Sequence, residues 1–267
     1  MKLTQQLHRV NLPKLCTVLL LATAIFSCQK ELKFDEVPQK NHNLVLKFKP
    51  VVKYDSVPLV FGTAYTNYFK EQFTPTAFKF YIHNIEMINT DSGKVFKLAN
   101  DKYYLVDFGD SASTEIKIAI SPFVYNRISF TIGVDSAQNV SGAQKDALDP
   151  ALGMFWTWNT GYIMAKLEGT SPKSAQAGKF EFHIGGFDSA NNVIKKVNLL
   201  FPFAQNLDLK AGSTSQMFIT CDAYDWFYNP WDIKIVDNPV VSTPGELAKQ
   251  VAENYSKMFT VDSVFNE

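Results

Sequence analysis

The chain has 267 residues, with 26 basic and 26 acidic side chains, 46% hydrophobic and 14% aromatic content. A balance without cationic excess excludes an electrostatic footprint for nucleic acid, so no nucleic-acid partner is expected. The apolar content is enough to bury a sizeable core within one domain.

Residues 1–27 read as a signal peptide rather than as part of the fold. Lys2, Arg9 and Lys14 precede the apolar run LCTVLLLATAIF, which ends at Phe26. Such a run has the length of a signal h-region and is too short to span a bilayer. It closes in Ile25-Phe26-Ser27-Cys28, which looks like a bacterial lipobox. Cleavage before Cys28 would make that cysteine the acylated N-terminus, and several acyl chains on one residue would anchor the protein to a membrane. The expected location is therefore the bacterial cell envelope, lipid-anchored at the outer membrane on its periplasmic or surface face. Removal of the signal lowers the basic count from 26 to 23 against 26 acids, a formal charge of −3. Cys16 leaves with the signal, and an acylated Cys28 leaves Cys221 without a thiol partner. No intrachain disulfide is expected.

Residues 28–42, charged and without apolar period, read as a flexible tether. A single domain is expected over residues 43–267. From Asn43, Leu44, Leu46 and Phe48 alternate with Val45, Lys47 and Lys49, the period of a half-buried strand. Similar runs predict strands at 77–88, 103–108, 114–120, 127–133, 154–167, 180–184, 193–203 and 215–223. Turn chemistry separates them, as at Asp91-Ser92-Gly93 and Ser121-Pro122. Many short strands with little helix predict an all-β fold, an antiparallel β-sandwich with long loops.

Two stretches break this rhythm. Residues 134–152 form a long, small and polar loop, and long loops on a sandwich tend to carry sites. Asp135, Asp146 and Asp149 lie in it. Their spacing matches no EF-hand, and Asx turns are the expected role. Near the C-terminus, Thr243-Pro244-Gly245-Glu246 reads as a capping box. Leu247, Val251, Tyr255 and Met258 follow at helical spacing, which predicts one short helix over about 244–258.

Three histidines remain after the signal: His42, His83 and His183. His42, at the tether boundary, is expected to be solvated. His83 lies in a segment without clean alternation and could face either side. His183, just before Gly185-Gly186, reads either as a polar residue on an outer face or as a metal ligand beside a flexible turn. In MFWTW, Trp156 and Trp158 would share one strand face with Met154, either as packing residues or as part of a site. There is no G-x-S-x-G, H-E-x-x-H, P-loop or G-x-G-x-x-G, and the chain is not expected to be an enzyme.

The order of these pieces carries a resemblance. GVDSAQNVSGAQKDALDPALGMFWTWNTGYIMAKLEG, then FEFHIGG, then a terminal helix leading to NYSKMFTVDSV, is similar to the MbnP-like copper-binding domain family, and FKFYIHNIEM fits as well. The resemblance covers roughly residues 43–265. It implies a secreted or lipid-anchored β-rich domain that binds copper. In some relatives it implies two histidines and a kynurenine, a tryptophan oxidised after translation by a partner dihaem peroxidase. On this chain it makes His83 and His183 the expected copper ligands and Trp156 or Trp158 the expected kynurenine precursor. Lipoprotein relatives carry histidines after the terminal helix, where this chain has Ser263 and Phe265. A two-imidazole set suits low-coordinate Cu(I). The competing expectation is a metal-free binding or adhesion module that contacts protein or glycan through its aromatic clusters.

Overall fold

A computed structural model describes residues 42–52, 57–98, 102–159, 161–210 and 214–266. The signal segment, Cys28 and the tether up to residue 41 lie outside the described residues. The strands of four residues or more are β1 (His42–Val52), β2 (Gln72–Asn89), β3 (Lys94–Lys97), β4 (Tyr104–Asp107), β5 (Glu115–Ile120) and β6 (Arg127–Ile132). They continue with β7 (Ala165–Thr170), β8 (Lys179–Ile184), β9 (Lys195–Leu200), β10 (Thr214–Asp222) and β11 (Phe259–Phe265). Two α-helices, α1 (Ser136–Val140) and α2 (Glu246–Tyr255), complete the larger elements.

One sheet runs β11-β10-β1, with β5 on the far edge of β1. The other runs β9-β6-β2-β7-β8, and β3 and β4 also pair with β2. The sheets face each other through alternate apolar residues. Phe48 on β1 and Phe259 on β11 meet Phe80 on β2 and Phe130 on β6, with ring centroids 5.0–6.3 Å apart, mostly edge to face. Such pairs add to area burial because a ring's positive edge meets another's negative face. The all-β sandwich expected from alternation is the observed architecture. One central pair departs from antiparallel pairing: β1 and β10 run parallel from Asn43↔Thr214 to Val51↔Asp222. Some 160 residues separate them in sequence, ample for the crossover that parallel pairing needs.

Three local expectations are corrected. His42 is fully buried rather than solvated, because it begins β1 opposite Ile120 and its Nδ1 lies 2.5 Å from the Lys210 carbonyl. The terminal helix starts at Glu246, and no side chain caps it. Gly245 stands at φ 158, so the chain straightens there instead of closing a capping box. Finally, Met154–Leu167 is not one strand. Regular pairing begins at Ala165, and the residues before it form a hairpin lying over the sheet.

Candidate metal site on the covered sheet face

The outer face of the large sheet is not left to solvent. Inward residues of β2, β7 and β8, such as Phe78, Phe80, Leu167 and Phe182, fill the core. Their outward neighbours align across the sheet as Lys79, Lys166 and His183, each opposite the next. Over this row lies the segment 134–164. Lys166 Nζ donates to the Gly153 carbonyl at 2.7 Å, and Lys79 Nζ pairs with Asp107 at 2.7 Å.

The covering segment is held by short-range polar contacts. Asp135 caps α1 by accepting from Gln138 N at 3.0 Å, and Asp149 accepts from Ala151 N at 2.8 Å. Both act as the Asx caps expected of them. Asn139, buried in α1, accepts from Tyr162 N at 2.8 Å and donates to the Val134 carbonyl at 2.6 Å. Tyr162 OH donates to the Leu148 carbonyl at 2.8 Å. Phe155 pairs with Tyr162 to close a hairpin, and Gly161 stands in its turn just before that pairing. Gly161 has φ +100, and a Cβ there would stand 2.6 Å from Asn139 Oδ1, so only glycine closes this turn without displacing the tie.

The hairpin divides the two tryptophans. Trp156 is 4% exposed, whereas Trp158, at the tip, is 60% exposed. Their rings remain neighbours, with centroids 5.5 Å apart. Trp156 lies against Gly185, where an added Cβ would stand 2.3 Å from the indole ring. Gly185 is two residues beyond His183, just past the end of β8, so the indole packs about one same-face spacing, roughly 7 Å, along the chain from it. Trp156 Nε1 is buried and has no hydrogen-bond partner, a feature shared by Trp226 in the core. An orphaned N–H by itself therefore does not mark a site.

His183 Nε2 donates to Glu168 Oε1 at 2.6 Å, and Lys166 Nζ stands 3.2 Å from the same oxygen. The His183 hydrogen bond, aided by Lys166, outweighs burial and holds the Glu168 carboxyl down at about 2. A folded value below the unfolded one gives stability that is complete above about 4.5 and is lost as pH falls through about 2. Denaturant midpoints of wild type and Glu168→Gln should therefore converge on acidification from about pH 5 to about pH 2. A constant gap would refute this role for the pair.

His83 belongs to a different place. It is 1% exposed on β2 and stacks on Tyr103 with ring centroids 4.8 Å apart. Tyr103 OH donates to Asp135. Burial lowers the His83 pKa, against the opposing pull of Asp135. His83 lies four residues beyond Lys79 along β2, two strands from His183. Strand geometry makes that offset about 13 Å along the strand and about 10 Å across, roughly 16 Å in all. Two nitrogens on one copper must stand within about 4 Å of each other, given bonds of about 2.0–2.1 Å. The structure does not bring His83 and His183 together. The outer face they share is too broad for one ion to span. No group of three or more His, Cys, Asp or Glu side chains poised to hold a metal occurs among the described residues. Glu168 was not anticipated from the sequence, although Lys-x-Glu on a strand opposite Phe-His is a visible pattern once the register is known. Tyr103 also lines a recess of about 570 Å³ with Lys102, Gln138, Gln144, Lys145 and Asp146. His183 is not on that recess.

A β-sandwich whose outer face is roofed by an aromatic hairpin over a carboxylate–imidazole pair is the class of domain this geometry defines. The MbnP family model matches residues 41–243, and the chain belongs to the MbnP family. That family is linked to copper binding, which makes the chain a metal-handling protein in the coarse sense. Among solved structures, MbnP from Methylosinus trichosporium is similar at 16% identity, covering 78% of this chain and 83% of that one, with a TM-score of 0.47. No curated protein sequence matches significantly.

Proposed function

We propose that the protein is a lipid-anchored copper-handling protein of the bacterial envelope, with no enzymatic activity, and that its copper site is built on His183 beside Trp156. The observation that carries this reading is the contact of Trp156 with Gly185, two residues along the chain from His183. The Glu168–His183 bond supports it. A metal-bound histidine usually gives its second ring nitrogen to a carboxylate, which fixes the tautomer and raises ligand basicity. With Nε2 engaged by Glu168, Nδ1 is the coordinating atom. Oxidation of Trp156 to kynurenine would add a carbonyl and an amine at the same spot. Exposed Trp158 is the surface that a dihaem peroxidase partner would meet, with Trp156 directly behind it. Copper here is cargo, taken up for sequestration or delivery, and a sparse ligand set suits release.

Protein recovered from its own envelope, grown with copper, should carry stoichiometric copper. Metal-free protein under those conditions would sink the proposal. Cys28→Ala should release the domain from membranes or block its maturation, and recovery of a soluble wild type without acyl chains would refute the anchor. A second reading, the metal-free adhesion module, draws on other rings. Tyr68 and Tyr228 stack at 3.7 Å with planes 7° apart, and Tyr68 is 45% exposed. Exposed aromatic faces suit glycan or protein contact. The copper measurement separates the two readings.

A further inference from the structure

We infer that the end of the sandwich where β1 begins rests on the lipid bilayer, with Phe203 as the residue that enters it. Several strand ends meet there. His42 pairs with Ile120 and bonds to Lys210, Leu209 N donates to the Phe123 carbonyl at 3.0 Å, and Phe201 N donates to the Asn126 carbonyl at 3.2 Å. On this end Phe203 is 93% exposed, the highest value among the large hydrophobic side chains of the described residues. Leu200 and Phe265, both more than half exposed, stand on strand ends at the same pole. Phe203 and Ala204 both adopt φ +53, a left-handed conformation that costs non-glycine residues free energy. That cost buries nothing, because the ring it presents has no packing partner in the fold. An aromatic ring held out from the fold is suited to the headgroup–acyl boundary. The pole carries both Lys94 and Asp91 and both Lys210 and Asp208, so apolar insertion rather than net charge drives the contact.

The bilayer is the occupant because of where the chain enters. The inference rests on the anchor reading of Cys28. Residues 29–41 join that cysteine to His42, and 13 residues reach at most about 45 Å. The tether enters at this pole and holds it within that reach of the membrane, and the exposed apolar residues make it the end that settles there. His183 is level with Lys79, ten residues back from Asn89 along β2, so the candidate copper site would stand about 30 Å from it.

The test imposes the tether whether or not the cell supplies it. The mature chain from Cys28 is coupled through that thiol to maleimide-lipid vesicles of phosphatidylethanolamine and phosphatidylglycerol with brominated chains. Cys221 is fully buried and does not compete for coupling. Phe203→Trp serves as reporter and Val240→Trp, on the edge beside Glu181, as control. Both positions are exposed, and circular dichroism checks that each variant folds. The emission added at 203 should be quenched at least about twofold more than that added at 240. Equal quenching, or none at either position, overturns the inference. Intact mass of protein from the envelope reads acylation separately. A missing acyl mass sinks the anchor reading and leaves the vesicle result to stand or fall alone.

Discussion

Trp156→Ala should cost about 3–5 kcal/mol of stability, whereas Trp158→Ala should leave the denaturant midpoint close to wild type. The two residues have the same chemistry and lie two positions apart. Their exposures, 4% and 60%, decide the difference. Trp156 fills the space between the hairpin and Gly185, and truncation leaves a cavity that the sheet backbone cannot close. Gly185→Ala tests the same contact from beneath. Its Cβ would stand 2.3 Å from the indole, so the ring must lift away from the sheet. We expect a changed tryptophan emission together with a loss of stability. Equal losses at 156 and 158 would show that the hairpin does not divide them as described.

His183→Ala should weaken copper binding by at least about 100-fold, and Glu168→Gln by about 10- to 100-fold through the loss of ring orientation. His83→Ala should keep the copper and lose stability, because that ring is packed against Tyr103 within the fold. Copper titration with folding monitored in parallel distinguishes these outcomes. Full affinity in His183→Ala would overturn the site. Loss of copper in a well-folded His83→Ala would restore the two-histidine expectation.

Much of the fold was legible because a strand writes its burial into a period of two. β5 reads buried at Ile116, Ile118 and Ile120 and open between them, as its sequence predicts. Phe259–Phe265 begins with the same period, Phe259 and Val261 being buried, and a register shift then makes Val264 the next buried residue; no strand was expected there. The preceding helical spacing masked it. Met154–Leu167 misled in the opposite direction. Its apolar residues lie on both sides of a polar break, Gly161 closes a turn there, and each half packs as one arm of a hairpin rather than as part of one strand.

The sequence alone determined the layer architecture, the Asx turns of Asp135 and Asp149, and the short list of histidines and tryptophans. These follow from local chemistry: alternation, side-chain caps and residue type. Which members of that list meet was beyond it. A shift of two residues in the pairing of β7 with β2 or β8 would leave every inward and outward assignment intact, yet it would move His183 by about 7 Å relative to His83. Register is set by the summed fit of Phe78, Phe80, Leu167 and Phe182 in the core, far from either imidazole. Only the folded chain decides that Glu168 bonds to His183, that Trp156 packs on Gly185 nearby, and that His83 lies two strands away.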